Sequence, residues 1–193
     1  MARRAAILAL ALLALVPVAA PAETNPADAL ASTAIDPYRY DRATDCRTAI
    51  PPGTLALKAW LERNAGGSFW GIYRCERWGK GSASLHAEGR AIDWHLDVHN
   101  RADKREAARL IHLFLAPDRA GNNHALARRM GIQELIWNCR SWWSGDGGMR
   151  PYSACYDSSG KPKKIDDTNA HRNHIHIGLN WPGARKQSTF WLR

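Results

Sequence analysis

The chain lacks an apolar run that is long enough to cross a membrane. Its longest run, residues 5–16, has twelve residues, whereas a membrane-spanning helix needs about 20. Arg3 and Arg4 precede this run, and the small-x-small pattern Ala-Pro-Ala follows it at residues 20–22. This order is typical of a secretory signal peptide, so we expect residues 1–22 to be removed and the rest of the chain to be exported to the periplasm or outside the cell.

The sequence also lacks the closely spaced cysteine pairs of a structural zinc site. Four cysteines are present, and no two of them are two to four residues apart. In an exported chain an even number of cysteines predicts disulfides. Of the three possible pairings we favour Cys46 with Cys75 and Cys139 with Cys155, because each pair closes a short loop within one half of the chain.

The chain has few acidic residues relative to basic ones. It contains 18 Asp and Glu residues and 27 Lys and Arg residues, so its formal charge is +9. Only two of the basic residues precede residue 23, so the exported chain remains basic. A basic exported protein suits an anionic partner. Cell-wall polymers and nucleic acid both fit this description, and a well-solvated surface is a third interpretation.

No internal repeat or low-complexity tract divides the chain, and its length suits one domain with its own core. Residues 23–47 contain few large aliphatic side chains and include Pro26 and Pro37, so we predict an extended lead-in there. The single domain is expected over residues 48–193.

Apolar periodicity within this domain indicates a mixture of helices and strands. We predict helices over residues 53–64, 101–115 and 122–130. We predict strands over residues 68–74, 90–98, 132–138 and 174–180. The fold class is therefore expected to be α+β. Residues 139–170 are expected to be irregular and to border a functional cleft.

Two groups of histidine and aspartate residues have the spacing of a metal site. His86 and Asp93 lie in SLHAEGRAID, in which Gly89 permits a tight turn between a loop and a strand. Such a return brings the two side chains to one point. His174 and His176 are two residues apart on a predicted strand and therefore point to the same face.

Imidazoles and a carboxylate suit Zn²⁺, and a hydrolytic zinc site keeps one position open for water. His176 is the expected ligand of the second group, whereas His174 is placed to hold or deprotonate the water. His171, in the preceding turn, can reach the same region. His95 and Asp97 share a strand face with the aspartate of the first group and are the alternative ligands.

The order and spacing of these motifs resemble the LAS superfamily, named for lysostaphin, D-alanyl-D-alanine peptidases and the hedgehog amino-terminal domain. Three motifs carry the likeness, which spans residues 69–179: Tyr73-Arg74, then S-x-H-x-x-G-x-A-x-D at residues 84–93, then H-x-H at residues 174–176. The resemblance implies an LAS or hedgehog-like fold, in which a small antiparallel sheet with flanking helices carries a zinc site in a cleft. It also implies hydrolysis of peptide bonds in peptidoglycan, as an endopeptidase or a D,D-carboxypeptidase.

By this likeness the zinc ligands would be His86, Asp93 and His176. Arg74 would bind substrate or stabilise the oxyanion, and Ser84 would support the site and the substrate. HRNHIH, at residues 171–176, also resembles the H-x-x-H-x-H ending of penicillin-insensitive murein endopeptidases, which implies that His171 and His174 surround the catalytic water.

One departure from the pattern is Asn173, because the carboxypeptidase and dipeptidase branch has a catalytic Glu or Asp at this position. An amide is not a general base, so His174 with His171 would have to do that work. The alternative is a non-catalytic, zinc-stabilised module that binds the cell wall or a protein. Trp94 is expected to line the cleft and contact substrate, although core packing is as common for such an aromatic residue.

A secreted zinc nuclease is the weaker third interpretation, suggested by the basic charge and the nine tryptophans. Nothing in the sequence resembles a histidine-bearing nuclease hairpin, and many basic residues fall on predicted helix surfaces. We therefore expect peptidoglycan as the partner, no nucleic acid, no stable membrane span, and a monomer.

Overall fold

The computed structural model describes residues 24–192, so the expected signal peptide over residues 1–22 lies outside the described part of the chain. The helices are α1 (Pro52–Asn64), α2 (Arg101–Leu115), α3 (Ala125–Met130) and α4 (Trp181–Ala184). The strands are β1 (Ser68–Gly71), β2 (Arg77–Gly79), β3 (Ser82–Ala83), β4 (Ala91–His95), β5 (Ile132–Trp137), β6 (Arg140–Trp143), β7 (Arg150–Pro151) and β8 (His174–Leu179). None of the helices between residues 24 and 192 is both long and apolar enough to cross a membrane.

Six strands form one antiparallel sheet in the order β1-β4-β8-β5-β6-β7, and β2 pairs with β3 in a separate small hairpin. The predicted α+β class with an antiparallel sheet and helices is confirmed. Strands β4 and β8 lie next to each other in the sheet, although about 80 residues separate them in the sequence. This pairing brings the two predicted metal-binding motifs together.

One face of the sheet is covered by the helices. Ile92 of β4 and Ile175 of β8 are fully buried in the same core as Leu110 and Phe114 of α2. Because side chains alternate along a strand, the residues next to each isoleucine on its own strand face the opposite side of the sheet. That side is the one on which the histidines and the aspartate lie.

Helix α2 has the predicted bounds, and its beginning has a clear cause. The side chain of Asn100 accepts hydrogen bonds from the backbone N–H groups of Ala102 and Asp103, which satisfies two donors of the first turn. The predicted helix over residues 122–130 begins later, at Ala125, because His124 has a left-handed backbone conformation with φ 53°.

The segment after β5 was expected to be irregular, but it contains β6 and β7, which extend the sheet. Asn138 and Cys139 connect β5 to β6, and both have positive φ angles, 46° and 58°. A two-residue hairpin turn with this backbone usually contains Asn and Gly. Cysteine is not part of that signal, which explains why the sequence pattern did not predict the hairpin.

Both predicted disulfides are confirmed, Cys46 with Cys75 and Cys139 with Cys155. The disulfides are consistent with an exported protein. The described part of the expected lead-in wraps around the domain. The backbone N–H of Asp41, for example, donates to the side chain of Gln133 on β5 at 2.7 Å.

Candidate metal centre

Three buried side chains each bring one donor atom to a common point. Nε2 of His86 lies 3.0 Å from Oδ1 of Asp93 and 3.0 Å from Nδ1 of His176. The last two atoms are 3.2 Å apart. Donors with these separations can surround a single ion at about 2.0–2.2 Å, the bond length of zinc with nitrogen and oxygen ligands. The group could therefore hold a metal ion.

The sheet register places two of these three residues. Asp93 on β4 is the direct antiparallel partner of His176 on β8. Directly opposite residues in an antiparallel pair have their side chains on the same face and close together. A ligand pair that is distant in the sequence is thus created by strand pairing.

A short 3₁₀ helix, Leu85–Glu88, places the third residue, His86. Ser84 caps this helix, because its hydroxyl accepts the backbone N–H of His86 at 3.3 Å. Gly89 ends it with φ 64°, a left-handed conformation that turns the chain back into β4. Ser84 therefore fixes the start of the short helix that carries His86.

Hydrogen bonds on the far side of each imidazole select the nitrogen that faces the centre. Nδ1 of His86 lies 2.5 Å from the carbonyl oxygen of Ile72, to which it donates, so that Nε2 is left with its lone pair. Nε2 of His176 lies 3.1 Å from Oε1 of Glu134, which leaves Nδ1 for a metal. This second contact has ion-pair distance but not the angle of a normal hydrogen bond.

Glu134 is the residue that the sequence reasoning missed. It lies on β5 and is only 7% exposed. A buried carboxylate usually has a partner, and here the partner is His176. The signal that could have found it is a glutamate within IQELIW, a segment that is otherwise typical of a buried strand. Its pairing with β8, which puts it beside His176, was not visible in the sequence.

Proton equilibria in the centre are strongly perturbed. Burial alone would raise the pKa of Asp93, but hydrogen bonds from His176 and His86 hold it well below its usual value. Burial alone would lower the pKa of His176, but the carboxylates of Asp93 and Glu134 raise it to about 9. Two carboxylates therefore create an environment that favours a cation between them.

His174 and His171 lie beside the three ligand candidates. Nδ1 of His174 is 2.8 Å from Oδ1 of Asn173, and its Nε2, which has no hydrogen-bond partner among residues 24–192, is 3.5 Å from Oδ1 of Asp93. The ring of His171 is 4.7 Å from that of His174. Burial lowers the pKa of His174 to about 4 and that of His171 to about 3. Both rings are therefore neutral near pH 7, and each has one nitrogen with a free lone pair.

Arg74 contacts the centre from the open side. Its Nη1 donates to Oδ2 of Asp93 at 2.5 Å, and its Nε donates to Oε1 of Glu76 at 2.7 Å. The guanidinium is nearly half exposed, so part of it faces solvent in the cleft. The cleft beside the ligand group is lined by three further predicted site residues, Arg74, Ser84 and His171.

The centre lies in a cleft of about 720 Å³. Trp70 forms one side, with its ring 5.2 Å from that of His174. Tyr152, Ile165 and Asn169 come from the long segment after β5, so the expectation that this segment borders the cleft is confirmed. A cleft of this size is in the range of small-ligand sites.

The expectation for Trp94 was wrong. Its side chain is 1% exposed, lies in the hydrophobic core and donates its indole N–H to the carbonyl oxygen of Gly66 at 2.7 Å. The physical reason is strand alternation, which turns Trp94 to the face opposite to its neighbour Asp93. The alternative ligands His95 and Asp97 are not members of the ligand group.

The fold and this centre define an α+β domain with a buried His-Asp-His group that could hold a metal. The chain belongs to the family described as VldE, C-terminal domain, whose model matches residues 46–174, about two thirds of the sequence. The matched region includes His86 and Asp93 and stops just before His176. Comparisons with curated proteins and with solved structures gave no match. The family description names a domain and not a reaction, so the function is argued from the site.

Proposed function

We propose that this chain is an exported zinc peptidase that hydrolyses peptide bonds in peptidoglycan. The observation that carries the proposal is the meeting of His86, Asp93 and His176 beside the unpartnered Nε2 of His174 in an open cleft. The motif resemblance to the LAS superfamily supports an LAS-like fold and this substrate class. Two imidazoles and a carboxylate are a donor set used by catalytic zinc, which leaves room for a further ligand.

The residues present fit this metal in geometry and in chemistry. The three donor atoms are 3.0–3.2 Å apart, and the far nitrogen of each imidazole faces a backbone carbonyl or a carboxylate. Such outer partners orient histidine ligands in zinc proteins. When bound, zinc would polarise the scissile carbonyl and lower the pKa of water toward about 7.

His174 is the group that we assign to proton transfer. Its Nδ1–H donates to the amide oxygen of Asn173, which directs the Nε2 lone pair toward Asp93 and the ligand group. A neutral imidazole in this position accepts a proton from the attacking water and returns it to the leaving amine. In this mechanism Asn173 is not the base. It is the residue that orients the base.

Arg74 is assigned to the substrate. Its guanidinium is held by Asp93 and Glu76, and its exposed part faces the cleft. A fixed guanidinium at this position stabilises an oxyanion or pairs with a terminal carboxylate of the peptide. Stabilisation of the oxyanion suits an endopeptidase or a carboxypeptidase, whereas pairing with a terminal carboxylate suits a carboxypeptidase only.

A non-catalytic binding module is the second candidate, and Asn173 is the observation that favours it. Without a carboxylate at that position, a zinc-loaded cleft could bind peptidoglycan peptides and release them unchanged. The cleft and the ligand group are the same in both cases, so only turnover separates them.

A muropeptide digest tests the proposal. The mature protein, loaded with zinc, is incubated with purified muropeptide monomers and cross-linked dimers, and the products are read by mass spectrometry. Loss of a terminal residue identifies a carboxypeptidase, and conversion of dimers to monomers identifies an endopeptidase. An Asp93→Ala variant serves as the control for contaminating hydrolases. Intact muropeptides after incubation with zinc-loaded protein would contradict the proposed hydrolysis and leave the binding module.

A further inference from the structure

A second cleft of about 420 Å³ opens beside the one that holds the candidate metal centre. The two clefts share Trp78, Ser84, Glu134 and Tyr152 as lining residues. The two clefts therefore adjoin each other along these four residues. A ligand in the second cleft lies next to the cleft that holds the metal centre.

Aromatic side chains form the walls of this second cleft. Tyr40 and Trp143 meet edge to face, with ring centroids 5.8 Å apart. Tyr152 is half-buried at the boundary between the clefts, and Trp78 stands on the β2–β3 hairpin with 71% of its surface exposed. Exposure of a large indole at the mouth of a cleft is unfavourable in water and is relieved when a ligand covers the ring.

The polar groups of the second cleft are mostly uncharged hydroxyls. Ser82 and Ser84 line it together with the two tyrosines, and Nη2 of Arg42 donates to Oγ of Ser82 at 2.9 Å. Glu134 is the sole carboxylate among the lining residues, and it faces His176. The cleft therefore combines flat aromatic surfaces with hydroxyl and guanidinium hydrogen-bonding groups.

This combination matches a pyranose ring better than it matches a peptide. A sugar presents an apolar face of C–H groups, which stacks on an aromatic ring, and an edge of hydroxyl and acetamido groups, which need hydrogen bonds. An extended peptide would instead require a row of backbone donors and acceptors. The aromatic, hydroxyl and guanidinium groups of the second cleft belong to side chains, and they match the face and the edge of a sugar.

We propose that the second cleft is a saccharide subsite, which holds N-acetylated sugar rings of a glycan strand while the attached peptide enters the metal centre. The identity of the glycan rests on the proposed function, whereas the recognition chemistry does not. Trp78 stacks on a sugar face, and Arg42 donates hydrogen bonds to the sugar edge. Peptides that carry their glycan would then bind more tightly than free peptides.

Binding of a tetramer of N-acetylglucosamine, measured by isothermal titration calorimetry, tests this subsite without requiring turnover. The wild-type protein should bind the tetramer, and Trp78→Ala should weaken binding about tenfold, the size of one lost aromatic stacking contact. Arg42→Ala should weaken it as well. Phe69→Ala removes another exposed aromatic side chain that lines neither cleft, and it should bind as the wild type does.

Failure of this inference is distinguishable from failure of the peptidase proposal. Absence of tetramer binding, or equal binding by the wild type and Trp78→Ala, would overturn the saccharide subsite even if muropeptides are cleaved. Trp78-dependent binding of a sugar-free stem peptide in place of the tetramer would overturn the ligand class. Tetramer binding by chelator-treated protein, combined with intact muropeptides after the digest, would leave the subsite in place and remove the peptidase.

Discussion

Oε1 of Glu134 lies 3.1 Å from Nε2 of His176, while Nδ1 of the same imidazole meets Asp93 and His86. The imidazole is therefore held between a carboxylate on one side and the ligand group on the other. A carboxylate that contacts the far nitrogen of a histidine fixes its tautomer and makes the near nitrogen a stronger metal ligand.

Glu134→Gln is expected to weaken zinc binding about 10- to 100-fold, because an amide of the same shape no longer attracts the N–H of His176 as strongly. The affinity is measured by competition with a chromophoric chelator. Glu62→Gln is the matched control, since Glu62 is an exposed residue that pairs with Lys58 and lines neither cleft. Equal zinc affinity in Glu134→Gln and the wild type would show that Glu134 does not orient a ligand.

Zinc content gives a direct test of the ligand group. His86→Ala, Asp93→Ala and His176→Ala should each lose the metal, because a catalytic zinc site has three protein ligands and each variant retains two. Metal analysis of the purified proteins should find one zinc per wild-type chain. His95→Ala, which changes the nearest alternative ligand on β4, should retain it. A reversed result, with zinc lost only in His95→Ala, would reassign the site.

The residues of the ligand group could be predicted from the sequence because their spacing along the chain indicates which side chains lie close together. Asp93 follows His86 after a glycine turn, and His176 shares a strand face with His174, so local structure predicted the arrangement within each motif. The pairing of β4 with β8 then brings the two motifs to one site. The orienting role of Glu134 could not be predicted, since it depends on the pairing of β5 with β8, and a sequence does not state which strands become neighbours.

Two errors have different causes. Strand alternation alone would have excluded Trp94 from the cleft, because its neighbour Asp93 was already assigned to the site and adjacent strand residues face opposite sides. The β5–β6 hairpin was missed because Asn138 and Cys139 form its turn, and the left-handed conformation of a cysteine has no common sequence signal.

The disulfides should be complete and stabilising. Thiol titration of the denatured, non-reduced protein should find no reactive thiol in the exported chain. Replacement of Cys139 and Cys155 together by serine should lower the free energy of unfolding by about 3 kcal/mol, the loss expected for a loop of this length. Urea denaturation measures the change. Two or more free thiols in the oxidised protein, or an unchanged midpoint in the double variant, would contradict this prediction.

The final prediction concerns the proton acceptor, since Asn173 stands where the carboxypeptidase and dipeptidase branch that the motifs resemble has a carboxylate. His174→Ala should reduce muropeptide hydrolysis about 100- to 10,000-fold and leave zinc bound, because His174 directs its unpartnered Nε2 at the site but is not a ligand. Asn173→Ala should have a smaller effect on the rate, because the imidazole remains but loses the hydrogen bond that orients it.

Three comparisons make the result for His174 specific. His171→Ala should reduce the rate less than His174→Ala, because the Nδ1 of His171 faces the carbonyl oxygen of Asn169 at the exposed edge of the site. Asn173→Asp should preserve or raise the rate if a carboxylate at that position still reaches the water. Zinc content, measured on the same samples, separates loss of a base from loss of the metal. A His174→Ala variant that keeps both its zinc and its full rate would require another group to accept the proton, and Glu134 would then be the nearest buried carboxylate outside the ligand group.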